Sequence, residues 1–286
     1  MLYIKSIEFP SEDAEMAFIW SIKQVCYDSF YPFKILSERG LSRIDFAPIT
    51  ILYGNNGSGK STALNVLAEK LALRRDADFN KSNFYRDYVA MCNIDAAEGI
   101  PEGSRIITSD DVFDFILNIR SMNENIDIKR GALLAEYAEA KHSTLHFRTM
   151  ADYEQVKKES NARRKTQDAF VRGNVMDNIR SFSNGESAFK YFVGGIGEGG
   201  LYVLDEPENS LSPKLQMELA AFLEDSVRFF GCQIVMSTHS PFLLSLRDAR
   251  VYDLDANPVV TKKWTALENV RRYHAFFKEH ACELDE

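Results

Sequence analysis

Residues 54–62 read Gly54-Asn55-Asn56-Gly57-Ser58-Gly59-Lys60-Ser61-Thr62, which matches the pattern G-x-x-x-x-G-K-[ST]. The apolar run Ile49–Tyr53 comes directly before them and is typical of a buried strand, and Ala63–Ala68 opens a helix. In such a strand, loop and helix, backbone N–H groups and the helix N-terminus attract anionic oxygens. The stretch therefore predicts a phosphate-binding loop.

The residues of this loop suit different parts of phosphate binding. Lys60 can reach the β- and γ-phosphates as a point charge, and the Ser61 hydroxyl is a suitable oxygen ligand for Mg²⁺. Gly54, Gly57 and Gly59 supply backbone conformations that other residues rarely adopt. A glycine-rich turn that binds nothing is the alternative, and residues later in the chain weaken it.

Length and composition set the frame for this site. The chain has 286 residues, of which 45% are hydrophobic, and we expect one functional unit with an inserted subdomain. The formal net charge is −8. An acidic chain has no wholesale attraction to nucleic acid, although a local basic patch could still bind DNA.

The cysteines and the hydropathy pattern argue for a soluble protein. Cys26, Cys92, Cys232 and Cys282 form no C-x-x-C pair, so we expect neither zinc nor a disulfide framework. No apolar stretch reaches the roughly 18 residues of a membrane span. The first residues also lack the pattern of a signal peptide. A cytoplasmic location is the expectation.

The pattern along the chain predicts an α/β fold with a mainly parallel sheet, an N-terminal antiparallel β portion and an inserted helical subdomain. Strand patterns at Leu2–Phe9, 44–46 and 49–53 form the N-terminal part. Residues 76–195 change to charges and short helical patterns, and we assign them to the insert. Residues 1–75 and 196–286 then form the core lobe, with a helix predicted over 213–229.

Two acids end the apolar run Leu201–Leu204. Asp205 and Glu206 would project from the carboxyl edge of the parallel sheet, where Asp205 could hold Mg²⁺ and Glu206 could polarise an attacking water. An apolar strand that ends in Asp-Glu is common by chance. Its combination with the loop at residues 54–62 makes it informative.

Two further segments carry candidate residues. Ser183, Asn184, Gly185 and Glu186 precede a helix predicted over 187–193, where they form either another anion site or an ordinary helix cap. His239 follows the predicted strand Cys232–Met236 and would share the edge with the two acids.

These segments occur in an order that resembles the ATP-binding cassette (ABC) ATPases. Residues 54–62 resemble Walker A, Ser183–Ser187 the signature motif, Leu201–Glu206 Walker B, Asn209–Ser212 the D-loop, and His239 the switch histidine. The sequence around Asp205 and His239 is similar to that of soluble, stand-alone bacterial ATPases related to the structural-maintenance-of-chromosomes (SMC) and recombination proteins. The resemblance implies ABC-type P-loop architecture with ATP and Mg²⁺ as cofactors.

The chain departs from the transporter pattern at two places. The signature reads Ser183-Asn184-Gly185-Glu186 where transporters usually carry Ser-Gly-Gly-Gln. A strand predicted at Leu145–Arg148 is followed by no clear Q-loop glutamine, for which Gln155 is a weak substitute. Adenine stacking by Tyr31 or Phe33 has no motif to support it.

The resemblance implies a homodimer in which two chains enclose two ATP molecules, each held by Walker A of one chain and the signature of the other. Glu206 would orient water, His239 would contact the γ-phosphate, and Lys60 would stabilise the transferred charge. We therefore predict an ATP-driven dimerisation switch, acting on DNA or on an effector protein. The alternatives are a nucleotide-gated binding module with negligible turnover and the ATPase subunit of a membrane transporter.

Overall fold

The computed structural model describes residues 2–23, 26–97, 99–142, 160, 164–179 and 183–285. The described chain forms two compact units, one of Met1–Phe113 with Asn184–Glu286 and one of Asp114–Ser183. The predicted strand at Leu145–Arg148 and the substitute Gln155 lie outside the described residues.

The first unit contains a six-stranded sheet in the order β5-β6-β7-β3-β8-β9. Five of these strands are parallel, and β9 pairs antiparallel to β8 at one edge. The strands are β3 (Ile49–Tyr53), β5 (Arg105–Thr108), β6 (Gly200–Asp205), β7 (Cys232–Ser237), β8 (Arg250–Asp253) and β9 (Val260–Thr261). The central strands are apolar and buried, as expected for a parallel sheet covered on both faces.

A separate three-stranded antiparallel sheet has the order β2-β1-β4. Its strands are β1 (Ile4–Glu8), β2 (Arg43–Asp45) and β4 (Asn93–Ala96). The side chain of Gln233 connects the two sheets, because its Oε1 accepts from the backbone N–H groups of Tyr3 and Ile4 at 2.7 and 3.0 Å. The mixed α/β fold and the N-terminal antiparallel portion are as predicted.

Ten α-helices lie in the described part of the chain, and α2 and α7 pack against the central strands. Ser212 caps α7 by accepting from the backbone N–H of Leu215, and Pro213 follows as its first residue, so this helix has the predicted bounds. The helices are α1 (Glu12–Ser21), α2 (Lys60–Lys70), α3 (Tyr85–Met91), α4 (Ser109–His142), α5 (Gln167–Arg172), α6 (Asn184–Gly195), α7 (Pro213–Phe229), α8 (Pro241–Leu244), α9 (Glu268–Glu279) and α10 (Ala281–Leu284).

The second unit is shorter than the insert assigned to residues 76–195. Near the start of the predicted insert, β5 pairs with β6 and so belongs to the six-stranded sheet of the first unit. At the end of the predicted insert, α6 belongs to the first unit, where Phe192 is buried. The short helical patterns expected here are replaced by α4, a single helix of 34 residues. The small core of the second unit contains Tyr137, Phe170 and Val171.

Candidate functional site

Parallel pairing brings the ends of three strands to one edge of the six-stranded sheet. Asp205 at the end of β6 is in register with Ser237 at the end of β7, and Ser237 is also in register with Leu52 near the end of β3. The phosphate loop therefore begins beside Asp205 and Ser237. This is the edge at which open α/β sheets bind ligands.

The loop has the backbone conformations that its glycines allow. Gly57 has φ +80° and Gly59 has φ +93°, both in the left-handed region. A Cβ at Gly59 would lie 2.9 Å from Leu36 Cδ2, whereas a Cβ at Gly57 would meet nothing within 4 Å. Gly59 directly precedes α2, so the first N–H groups of that helix face the loop.

Lys60 is held inside the loop. Its side chain is 4% exposed, and its Nζ donates to the carbonyl oxygens of Gly54 and Asn55 at 2.8 and 3.3 Å. The same Nζ lies 3.7 Å from Glu206 Oε1. A buried ammonium that is held by two carbonyls can turn to phosphate oxygens without a large movement of its stem.

Ser61 and Asp205 come together although 144 residues separate them. Ser61 Oγ donates to Asp205 Oδ1 at 3.1 Å, and Ser237 Oγ donates to the same oxygen at 2.5 Å. Burial raises the pKa of the Asp205 carboxyl, and the two hydroxyl donors oppose that rise. One hydroxyl and one carboxylate, completed by phosphate and water oxygens, fit the preference of Mg²⁺ for oxygen ligands.

Glu206 has an unusual backbone. Its φ is +47°, and its N–H donates to Ser237 O and Ser237 Oγ at 3.2 and 3.0 Å. Non-glycine residues in this region cluster at functional sites. The His239 imidazole, the Asn209 amide and the Lys60 ammonium together lower the pKa of the Glu206 carboxyl to about 2, against the opposing effect of burial. The group is therefore ionised at neutral pH and can orient a water molecule.

His239 lies beside Glu206, with Nε2 3.7 Å from Glu206 Oε1. Its backbone N–H donates to Glu208 Oε1 at 2.5 Å, and its carbonyl accepts from Asn269 Nδ2 at 3.2 Å. Burial raises the pKa of the Glu208 carboxyl. His239 Nε2 is buried and has no hydrogen-bond partner among the described residues.

The structure thus brings together Lys60, Ser61, Asp205, Glu206 and His239 at one edge of the sheet, and their roles in nucleotide binding and hydrolysis stay predictions. Three residues that the sequence analysis did not select also contribute: Glu208, Asn269 and Asp255, whose carboxylate accepts from the Asn55 N–H at 2.9 Å. Asp255 follows β8, so its position after a parallel strand was an available signal. Asn269 lies in a helix with no recognisable motif, so the sequence contains no signal for its role.

Ser183 directly precedes α6, which begins at Asn184, three residues before the predicted start. A Cβ at Gly185 would lie 2.9 Å from the carbonyl oxygen of Ser210, so Gly185 packs closely on the predicted D-loop. Glu186 lies in the first turn of α6, where an acid interacts favourably with the helix dipole. A role for these residues in nucleotide binding stays a prediction.

The two aromatic candidates for adenine both have partners in the structure. Phe33 is buried and stacks on Phe18 with 4.9 Å between ring centroids, so its faces are not free for a base. Tyr31 donates from its hydroxyl to Thr62 Oγ1 at 3.2 Å.

A protein-family model described as "AAA domain, putative AbiEii toxin, Type IV TA system" matches residues 178–245. The matched segment includes Ser183–Glu186, Asp205, Glu206 and His239. No curated protein matches the chain. Together with the phosphate loop and the acidic strand end, the family match makes the chain similar to P-loop ATPases of the ABC and AAA type.

Among solved structures, the chain is similar to "An inward-facing conformation of a putative metal-chelate type ABC transporter", at 15% identity and a TM-score of 0.42, over 97% of this chain and 90% of that one. It is also similar to the SMC head domain from Thermotoga maritima, at 12% identity and a TM-score of 0.35, over 77% of this chain and 93% of that one. Within the described residues, none of the helices is both long and apolar enough to cross a membrane.

Proposed function

We propose that the chain hydrolyses ATP to ADP and phosphate and acts as an ATP-driven dimerisation switch. The observation that carries the proposal is the meeting of Lys60, Ser61, Asp205 and Glu206 at one sheet edge, from segments 144 residues apart. This set combines a cation for phosphate, oxygen ligands for Mg²⁺ and an ionised carboxylate for water. These are the groups that phosphoryl transfer to water requires.

Each group has a defined part in the proposed reaction. The loop N–H groups and Lys60 bind the β- and γ-phosphates, Ser61 and Asp205 hold Mg²⁺, and Glu206 orients the attacking water. The metal, when bound, neutralises charge that develops on the transferred phosphoryl group. His239 Nε2 supplies a polar contact on the γ-phosphate side, beside Glu206.

The charge of the triphosphate supports the proposed homodimer. One phosphate loop contacts the nucleotide from one side, so a second chain that offers Ser183, Asn184, Gly185 and Glu186 at the start of α6 would complete the enclosure. Hydrolysis would then weaken the dimer. Ser183, with its hydroxyl at a helix start, is the residue that we expect to contact the γ-phosphate of the partner's nucleotide.

We further propose that the switch serves a DNA-related or genome-defence process in the cytoplasm. The family match supports this, because its description names a toxin of a type IV toxin–antitoxin system. DNA or an effector protein would be the second partner. A net charge of −8 requires any DNA contact to be local.

The test measures phosphate release and oligomeric state for the wild type, Glu206→Gln and Lys60→Ala, with ATP and Mg²⁺, with and without duplex DNA. We expect Glu206→Gln to form a stable ATP dimer without releasing phosphate. Lys60→Ala should form no ATP dimer. Stimulation by DNA would support the DNA-related role, and indifference would favour an effector protein.

One observation favours a second candidate, a nucleotide-gated binding module with negligible turnover. A carboxyl with a pKa of about 2 is a weak general base, so the chemical step could be slow. In that case the wild type and Glu206→Gln would form the same ATP dimer, and neither would release phosphate.

A further inference from the structure

The main chain of His239 is held from both sides. Glu208 Oε1 accepts from its N–H at 2.5 Å, and Asn269 Nδ2 donates to its carbonyl oxygen at 3.2 Å. The imidazole also meets the Tyr53 ring edge to face, with 6.4 Å between centroids. The direction of the imidazole therefore depends on partners from three separate segments.

Asn269 makes a second contact with the same region. Its backbone N–H donates to the Tyr53 hydroxyl at 3.1 Å. Tyr53 ends β3 immediately before the phosphate loop. One residue of α9 thus bonds both to the switch histidine and to the strand that carries the loop.

These bonds are not a by-product of core packing by α9. Leu267, just before the helix, is buried, but every residue from Arg271 to Glu279 is exposed. A helix that buries none of its own side chains is positioned by its first turn and the residue before it. Asn269 also lines an open cleft with Asn55, Asn56 and His239, so it lies where the γ-phosphate would approach the loop.

We propose that Asn269 is a positioning residue, which acts with Glu208 to fix the His239 imidazole beside Glu206 and thereby couples α9 to turnover. The inference rests on the proposed ATP hydrolysis. If the His239 carbonyl loses its donor, only Glu208 and Tyr53 remain to hold the imidazole 3.7 Å from Glu206, and its direction is less firmly fixed. Nucleotide affinity should persist, because the triphosphate is bound mainly by the loop and Lys60.

The kinetic test compares Asn269→Ala and Asn269→Asp with Lys278→Ala, an exposed position on the same helix. Asp has the size of Asn but turns an oxygen toward the His239 carbonyl. We expect both Asn269 variants to lower kcat by about five- to tenfold with KM unchanged, since one hydrogen bond is lost, and Lys278→Ala to keep wild-type values. Wild-type kcat in both Asn269 variants, or a rise in KM of the same size as the fall in kcat, would overturn the proposal.

A second readout needs no turnover. The imidazole resonances of His239, assigned by their loss in His239→Gln, are followed by NMR in the nucleotide-free protein. Asn269→Ala should shift them and Lys278→Ala should not, and unshifted resonances in Asn269→Ala would overturn the proposal. If the wild type releases no phosphate, the proposed hydrolysis fails, and the NMR comparison still decides whether Asn269 positions His239.

Discussion

The carboxyl edge of the six-stranded sheet and the unit Asp114–Ser183 hold their residues in different ways. At the edge, buried or half-buried charged groups converge through bonds between distant segments, such as Ser61 to Asp205 and Asn55 to Asp255. In the second unit, a small apolar cluster around Phe170 is accompanied by exposed polar contacts. Single residues at the edge should therefore determine activity, whereas single residues in the second unit should determine local stability.

The largest expected effect is at Asp205. Asp205→Asn keeps the shape of the side chain but removes the charge that would hold Mg²⁺, so we expect ATP hydrolysis to fall by about 10²–10³-fold. Stability at neutral pH should not fall, because burial already disfavours the charged form of Asp205. Phosphate release and urea unfolding measure the two effects. Asp225→Asn, on an exposed position of α7, is the matched control, and unchanged hydrolysis in Asp205→Asn would show that this carboxylate is not needed for turnover.

Next in size is the loss of the Phe170 ring from the small core of the second unit. Phe170→Ala leaves a cavity beside Tyr137 and Val171, and we expect the free energy of local unfolding to fall by about 3 kcal/mol. Hydrogen exchange across Gln167–Arg172 should accelerate, while nucleotide affinity stays constant because the phosphate loop lies in the other unit. The exposed Met176 provides a control in Met176→Ala. Faster exchange in both variants, or in neither, would contradict the expectation.

A buried acid away from the sheet edge should make stability depend on pH. Glu15 on α1 is fully buried, its Oε2 accepts from Lys34 N and Ser37 Oγ at 2.6 and 2.8 Å, and burial raises its pKa above 4.5. A raised pKa means that its contribution to stability is complete below pH 4.5 and is lost as the pH rises through the folded-state value.

Glu15→Gln should remove this dependence, because the amide is neutral at every pH and its oxygen can accept the same two bonds. The free energy of unfolding of the wild type should therefore fall relative to that of the variant as the pH rises from 4.5. Urea titrations at several pH values measure the difference. Parallel curves for the two proteins would show that Glu15 does not titrate with folding.

The smallest effect is expected at an exposed contact of the second unit. Arg130 donates to Asn178 Oδ1 at 2.6 Å and pairs with Asp127 one turn away on α4. Arg130→Ala should cost about 0.5 kcal/mol or less, as exposed ion pairs usually do, and high salt should reduce the difference. Urea unfolding with and without added salt measures it. A loss as large as that of Phe170→Ala would mean that polar contacts, rather than the apolar cluster, stabilise this unit.

Local patterns predicted the elements around the site. The helix predicted over 213–229 is α7, and the burial of β3 and β6 followed from their continuous apolar runs. Prediction was weaker between residues 76 and 195. Neither the pairing of β5 with β6 nor the length of α4 has a local signal, because pairing depends on distant strands and α4 carries many charges.

The candidate site divides in the same way. Lys60 and Ser61 follow from the phosphate-loop motif, and Asp205, Glu206 and His239 follow from strands whose ends could be read from the sequence. Glu208, Asp255 and Asn269 were missed, because they bind backbone groups, and any polar side chain near a strand end could do so. The left-handed backbone of Glu206 was equally hidden, since no local pattern predicts a positive φ there.

The sequence alone determined which chemical groups are available: a phosphate loop before a helix, two acids at a strand end, and a histidine after the next strand. Short-range rules suffice for this, because strands, turns and helix starts depend on neighbouring residues. The distances between these groups and the backbone contacts of His239 came from the tertiary fold. Both are set by strand order and by bonds between segments 200 residues and more apart, whose energies no local stretch of the chain contains.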